Sequence, residues 1–448
     1  MDSKREIGIT EKLGVGQSLF YGVQSVIALN LFLGAVIIAG MIQMNVADTA
    51  ILLTLSFLAC GVATLIQAGL FMKYPVVQGV SFATMAAIAA IAMSHGSDIS
   101  VAFGSLILGA IVIILLGVFK VFGYVMKVIP PIVAGTVVVV IGISVMFTAL
   151  SNLVGSPGSA GTNFALAGIT FVLIFVFKTI GNSSLKIAGI CGKGGVLIAI
   201  VVACLIAWAM GVADFTPVTN ATWVGLPPIG HFGMPKFDLQ SSLAFIFIYI
   251  IVMIETIGNW FAISFTAKSP IQKKDIDKGI IGEGIGCLIG AFIGSAPTTS
   301  YAPNCGVISL TKVYSRFAAI GAGAIIIVLS FIPKLMYVIA SIPGPIMWGV
   351  LSAMTVVILM SGFRSVHRFP LSERNILIIG IPICITIVVS MLPIPLVQSM
   401  PMLLGFLFSS SILIGVIAAI VLNLILPREK GVVDGSKEEH NATAEDAV

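Results

Sequence analysis

The sequence predicts an all-α polytopic membrane protein of 14 transmembrane segments, arranged as two inverted repeats of seven. Three observations lead there. Of 448 residues, 58% are hydrophobic and only 9% charged, whereas about a quarter of a soluble globular chain is charged. Apolar stretches of about 20 residues, enough to cross a bilayer as a helix, recur from end to end. Lys and Arg, finally, collect in alternate loops, as they do on the cytoplasmic side of membranes.

Residues 1–13 are polar, carry both signs and lack the apolar run that a cleavable signal peptide needs after its basic residues, so they read as a cytoplasmic N-terminus. The segments begin near Gly14, Ala47, Val76, Val101, Pro130, Gly161, Lys186, Ser241, Lys278, Pro297, Phe317, Pro343, Asn375 and Met402. The third and tenth are too short, or too rich in Gly and Pro, to be ordinary full spans. Residues 14–213 form the first repeat and 241–427 the second; between them, 214–240 is an outer loop rich in Pro and Gly. The charged stretch 428–448 reads as a disordered cytoplasmic tail.

With the N-terminus inside, Lys4, Arg5 and Lys12 share a side with Lys73, Lys120, Lys127, Lys178, Lys186, Lys193, Lys268, Lys273, Lys274, Lys278, Lys312, Arg316, Arg364, Arg368 and Arg374, and with the tail. Of 23 Lys and Arg, only Lys236 and Lys334 fall outside. A miscount by one span would scramble this alternation. Both termini are therefore expected in the cytoplasm of a cell whose inner or plasma membrane holds the chain. Tyr124-Val125 followed by Ile129-Pro130-Pro131-Ile132 recurs as Tyr337-Val338 followed by Ile342-Pro343-Gly344-Pro345-Ile346. The copies open the fifth and twelfth segments. Seven spans is an odd number, so the second copy is inserted upside down, as in carriers with two equivalent gates around one site.

The net charge of +5 is spread without a basic face of the kind nucleic acid needs. Cys60, Cys191, Cys204, Cys287, Cys305 and Cys384 lack metal-ligand spacing and read as small hydrophobes, with neither disulfide nor metal site. His95, His231, His367 and His440 fall in loops or the tail, so no nucleophile–base cluster suggests an enzyme. No cofactor is expected. The implied partners are a small-molecule substrate and lipid.

Two of 18 acidic residues cannot be placed in loops. Glu255 lies in the middle of the eighth segment and Glu283 early in the ninth. An acidic group at mid-bilayer costs about 2.5–3.5 kcal/mol on insertion scales unless it faces a polar cavity or carries a proton. A carboxyl group in a poorly solvated site can exchange a proton near neutral pH, and can also bind a ring N–H or carbonyl. Glu255 and Glu283 are the candidates for proton coupling, and Glu255 for substrate contact as well; structural hydrogen bonding is the competing role, more so for Glu283.

The third segment runs Tyr74-Pro75-Val76-Val77-Gln78-Gly79-Val80-Ser81-Phe82-Ala83, and the tenth Ala296-Pro297-Thr298-Thr299-Ser300-Tyr301-Ala302-Pro303-Asn304-Cys305-Gly306. Both are Pro-led and extended before turning helical. Non-helical backbone at membrane depth survives only inside protein or against a polar cavity, and facing helix N-termini offer free N–H groups to a ligand. Phe82, between Ser81 and Ala83, is placed to stack on a planar ring, and Asn304 to pair with its edge; ordinary packing is the alternative for Phe82.

Pro303-Asn304-Cys305-Gly306-Val307-Ile308-Ser309-Leu310-Thr311-Lys312 resembles the signature of the nucleobase–ascorbate transporter family: Gln, Glu or Pro, then Asn, any residue, Gly, four free positions, Thr, and Arg, Lys or Gly. Glu255-Thr256-Ile257-Gly258 is similar to the family's eighth-span motif and Tyr21-Gly22-Val23-Gln24 to its first-span motif, and Glu283 takes the place of a ninth-span acid. The resemblance covers about 14–427. It implies a core domain of spans one to four and eight to eleven, a gate domain of the rest that forms a homodimer, and substrate held between crossed strands of spans three and ten. It places Ser81, Phe82, Ala83, Glu255, Tyr301, Pro303 and Asn304 at the substrate, with Gln24, Ser25, Asn259, Gly306 and Thr311 in support. Ser25 stands where many relatives have His, and Asn259 where they have Asp or His. Pro303 stands where bacterial purine carriers have Gln and uracil carriers Glu, and animal ascorbate carriers share the Pro. The implied function is proton-coupled nucleobase symport, xanthine or urate ahead of uracil, with sodium an open alternative as coupling ion. A carrier of ascorbate or another organic anion is the second reading, a channel the third.

Overall fold

The computed structural model describes residues 7–121, 130–181, 188–267, 269–301, 303–367, 369–393, 396–397, 400, 408 and 411–427. Tyr124, Val125 and Ile129 of the repeated motif lie outside the described residues, as do Lys186 and Met402 at the expected starts of two segments. So do Lys4, Arg5, Lys127, Lys268 and Arg368 of the charge pattern, and the tail 428–448.

Helix α1 (Val15–Leu29) and α2 (Leu33–Met41) form one apolar stretch, broken where Asn30 adopts a left-handed conformation with φ 50°. Helix α3 (Val46–Leu65) starts at Asn45, whose side chain accepts the Asp48 N–H at 2.9 Å, and it runs on into a π-helical turn, Ile66–Phe71. Such a cap satisfies one of the N–H groups that a first helical turn leaves free. Strand β1 (Gln78–Val80), a 3-10 turn (Phe82–Thr84) and α4 (Met85–Ser94) follow, then α5 (Ile99–Val118), capped by Asp98. Helices α6 (Pro131–Val154), α7 (Ala160–Gly181) and α8 (Ala188–Ala209) precede a connection holding the single turn α9 (Thr216–Thr219). The second half comprises α10 (Leu239–Thr266), α11 (Lys273–Ile293), β2 (Thr298–Ser300), α12 (Pro303–Thr311), α13 (Arg316–Ser330), α14 (Pro333–Ala340), α15 (Gly344–Val366), α16 (Glu373–Ser390) and α17 (Ser411–Ile425).

Among the described residues, 8 helices are long and apolar enough to cross a membrane, or 9 if α13 and α14, bent by 86° to one another, make one span. Phe82–Ser94, Ser411–Ile425 and the stretch Gly194–Ala209 within α8 are apolar but shorter than a full span. Helix α11 falls outside this set because even its most apolar stretch carries three charged residues, Asp277, Lys278 and Glu283, although it packs against both α3 and α5.

The helices pack in two groups. Helices α1, α3, α5, α10, α11 and α13 pack on one another, with α3, α10 and α11 lying against the strand pair; α6, α7, α8, α15, α16 and α17 pack mainly on one another. The partnerships come in matched pairs. Helix α1 lies on α13 as α10 lies on α5, α3 on α13 as α11 on α5, α7 on α8 as α16 on α17, and α7 on α15 as α16 on α6. Lipid removes the hydrophobic drive between helices, so close approach rests on small residues. At the α1–α13 crossing, a Cβ on Gly22 would collide with the Gly321 backbone, and one on Gly321 with the Ser18 carbonyl.

Candidate functional site

Strands β1 and β2 pair antiparallel, Gln78 opposite Ser300, Gly79 opposite Thr299 and Val80 opposite Thr298. The ladder is extended by Ser81 N–H to Pro297 O at 2.9 Å and Tyr301 N–H to Val77 O at 3.0 Å. Every residue of both strands is buried. Non-helical backbone is tolerable here because each strand satisfies the other. Helix α4 leads away from β1 through the Phe82–Thr84 turn, and α12 leads away from β2, so two half-length helices begin beside the ladder. Gly79 has a specific reason to be glycine: a Cβ there would run into the Tyr301 ring.

Helix α10 packs against the Phe82–Thr84 turn, β2 and α12, and it carries Glu255 and Asn259. Glu255 is 4% exposed, and its Oε2 has no hydrogen-bond partner. A buried carboxyl oxygen left unpaired is costly, and this one has room in its hydrogen bonding for a further donor or a proton. The hydroxyls of Ser81, Thr298 and Ser300 and the Gln78 amide oxygen are likewise buried and unpartnered. Together they offer hydroxyl donors and carbonyl or carboxyl acceptors around the ladder.

Glu283, on α11, is 2% exposed but fully engaged. Its Oε1 accepts from Ser300 N–H at 2.8 Å and Thr256 Oγ1 at 3.2 Å, and its Oε2 from Gln67 Nε2 at 2.8 Å and Gln78 Nε2 at 2.9 Å. Asn304 donates through Nδ2 to Pro75 O at 2.8 Å, and Asn259 donates through Nδ2 to Ser300 O at 2.8 Å. Both amides thus tie the half-helix region together. Phe82 stacks on Tyr301, with ring centroids 5.5 Å apart and planes at 26°, so one face of Phe82 is already covered. Ala83 is buried beside it, and Pro303 is partly buried at the start of α12.

The remaining positions are less buried. Gln24 and Ser25 are half-buried on α1. Gly306 is exposed, and nothing lies within 4 Å of a Cβ placed on it. Thr311 closes α12, its hydroxyl 3.4 Å from both Ile308 O and Val313 N. The sequence does not single out Gln67, Gln78 or Thr256; it offers Ser300, with Thr299, Tyr301 and backbone N–H groups, as a substitute contact for Pro303, and here the Ser300 N–H goes to Glu283. Gln67 carries a signal, as an amide inside an apolar stretch. Two surface grooves, about 470 Å³ along α7 at Phe171 and Phe175 and about 430 Å³ at the N-terminal ends of α3 and α5, contain no residue of the strand pair.

Half-length helices starting beside a buried strand pair, with an unpaired carboxyl on the adjacent helix, define a carrier-type membrane protein. Comparison with known proteins narrows the class. The family profile Xan_ur_permease, described as "Permease family", matches residues 16–395. The chain is 30% identical to the uric acid transporter UacT of Escherichia coli (strain K12), over 92% of this chain and 86% of that one. It is 27% identical to the uric acid permease PucK of Bacillus subtilis (strain 168), over 91% and 95%. Its fold matches the transmembrane domain of the cyanobacterial bicarbonate transporter BicA with a TM-score of 0.62 at 16% identity, covering 86% of this chain and 98% of that one. The chain belongs to the nucleobase–ascorbate transporter family, and it is a multi-pass membrane permease.

Proposed function

We propose that the chain is a secondary active transporter that carries a nucleobase together with protons by alternating access, with purines such as xanthine or urate preferred to uracil. The observation that carries this reading is the unpartnered Oε2 of buried Glu255 on the helix beside the strand pair. A purine dione presents N–H donors and C=O acceptors on one rigid plane. Glu255, the Gln78 amide oxygen and the hydroxyls of Ser81 and Ser300 are complementary to both kinds of group. The relatives named as uric acid carriers support the purine class.

The same proposal reads the chain as 14 segments in two inverted repeats, 14–213 and 241–427, joined by the loop 214–240. The matched packing partnerships support it. Segments one to four and eight to eleven would form the core, the rest a gate through which two copies pair, with both termini in the cytoplasm. Pro303 favours a second reading, ascorbate or another organic anion, because proline offers a ligand no side-chain hydrogen bond.

One experiment separates the two. Labelled xanthine, urate, uracil and ascorbate are offered to cells lacking their own carriers, with and without an uncoupler. Saturable purine uptake that collapses with uncoupler is expected. Ascorbate uptake alone would overturn the nucleobase reading, and purine uptake indifferent to uncoupler would overturn the proton coupling.

A further inference from the structure

Glu283 gathers donors from four other elements: Gln67 from the π turn after α3, Gln78 from β1, Ser300 from β2 and Thr256 from α10. Each carboxyl oxygen receives two hydrogen bonds, which suits an acceptor-only carboxylate. The donors cannot easily reverse roles. The Ser300 donor is a backbone N–H. Gln67 Nε2 also donates to Gly279 O at 2.9 Å, so flipping this amide would set its oxygen against two acceptors. Its Oε1 is buried without a partner, a cost the protein sustains to keep the N–H groups pointing at Glu283 and Gly279.

The backbone is shaped for this contact. The π-helical turn Ile66–Phe71 shifts the register of side chains at the end of α3, and Gly282 leaves the space that Gln67 enters, since a Cβ there would meet Gln67 Oε1. No ion pair joins Glu283 to a basic side chain among the described residues. The titratable groups about it are Glu255 and, on its own helix, Cys287, with Tyr249 of α10 and Cys60 of α3 lying against Cys287. Adding a proton to either oxygen of Glu283 would bring an O–H against donors already in place. Adding one to Glu255 Oε2 displaces nothing.

We propose that Gln67 is a positioning residue which, with Gln78, clamps Glu283 as a fixed acceptor tying the strand pair to α3, α10 and α11, and so leaves Glu255 as the group that exchanges the transported proton. This rests on the proton-coupled reading and moves Glu283 from proton carrier to strut.

The test reads protonation without needing a substrate. Infrared titration of the purified full-length protein follows the carboxylic-acid C=O band across neutral pH in the native chain and in Glu255→Gln, Glu283→Gln and Gln67→Met. The titrating band should vanish in Glu255→Gln and persist in Glu283→Gln, and Gln67→Met should add a second, because Glu283 Oε2, left with Gln78 as its one donor, can then take a proton. A band lost in Glu283→Gln, or unchanged in Glu255→Gln, overturns the assignment. Uptake gives the second readout: Gln67→Met should lower maximal rate about tenfold with KM little changed and displace the pH profile. Should that variant not fold, Gln67→Glu, which can donate to Glu283 only while protonated, should transport only on the acid side. A native pH profile in a folded Gln67 variant overturns the positioning role. If the native chain carries no nucleobase, the transport reading fails while the infrared result still decides the clamp.

Discussion

Glu255 and Glu283 are both buried acids in one small region, and their hydrogen bonding sets them apart: one has an empty oxygen, the other has four donors. Glu255→Gln should reduce proton-driven accumulation to background while the protein still elutes as a folded species; uphill uptake at native levels would remove Glu255 from the mechanism. Pro303→Gln adds an amide at the start of α12, where a hydrogen bond worth about 1 kcal/mol would shift affinity roughly fivefold. Competition by unlabelled xanthine, urate and uracil would show it as a change in ligand ranking. That Glu255 is a buried acid was legible in the sequence, because it stands among Ile, Val and Met in the middle of an apolar segment. What Asn304 and Asn259 do was not legible: their carbonyl partners, Pro75 and Ser300, are 229 and 41 residues away.

At the scale of elements, two features limit stability, one at a helix start and one at a helix crossing. Asp98 caps α5 through Ser100 N–H at 3.0 Å and meets Lys236 at 2.6 Å. The Lys236 ammonium and the Ser100 hydroxyl hold its carboxyl below the usual carboxylate range. The folded chain therefore keeps Asp98 ionised to lower pH than the unfolded chain does. This contribution is complete above the ordinary carboxylate value and is lost as pH falls from there through the lowered value of the folded chain. Asp98→Ala should cost about 1 kcal/mol of helix capping, and the gap in Tm between variant and native protein should narrow in acid. Gly321→Leu should be worse, because a side chain there meets the Ser18 carbonyl across the crossing; overpacking of about 1–3 kcal/mol would appear as a lower Tm and poorer recovery of folded protein. The half-length elements were readable from Pro75, Pro297 and Pro303, since Pro-led extended stretches do not start ordinary spans. The π turn at Ile66–Phe71 was not, because the hydrogen bond its Gln67 makes is to a helix more than 200 residues on.

For the whole molecule, the proposed alternating access predicts that the helix group holding the strand pair moves against the group of α6 and α15. These groups touch where α6 meets α10, and a Cβ on Gly258 would lie 3.5 Å from that of Ala134, within disulfide range. With the 6 native cysteines replaced, Ala134→Cys with Gly258→Cys should stop uptake under oxidation and regain it with reductant. Ala59→Cys with Gly290→Cys, at the same 3.5 Å within the first group, should leave uptake intact. Equal inhibition by both pairs would argue against relative motion of the two groups.

The sequence by itself determined the membrane class, the family and the two intramembrane acids, because apolar length, the Pro303–Lys312 signature and a charge in lipid are local properties. Only the tertiary structure decided which acid is left open. Hydrogen bonds from Gln67, Gln78, Thr256 and Ser300 converge on Glu283 from parts of the chain up to 216 residues apart, and nothing in their local sequence says that they meet. A buried carboxyl group takes its chemical role from the number of donors the fold brings to it, and that number exists only once the helices are packed.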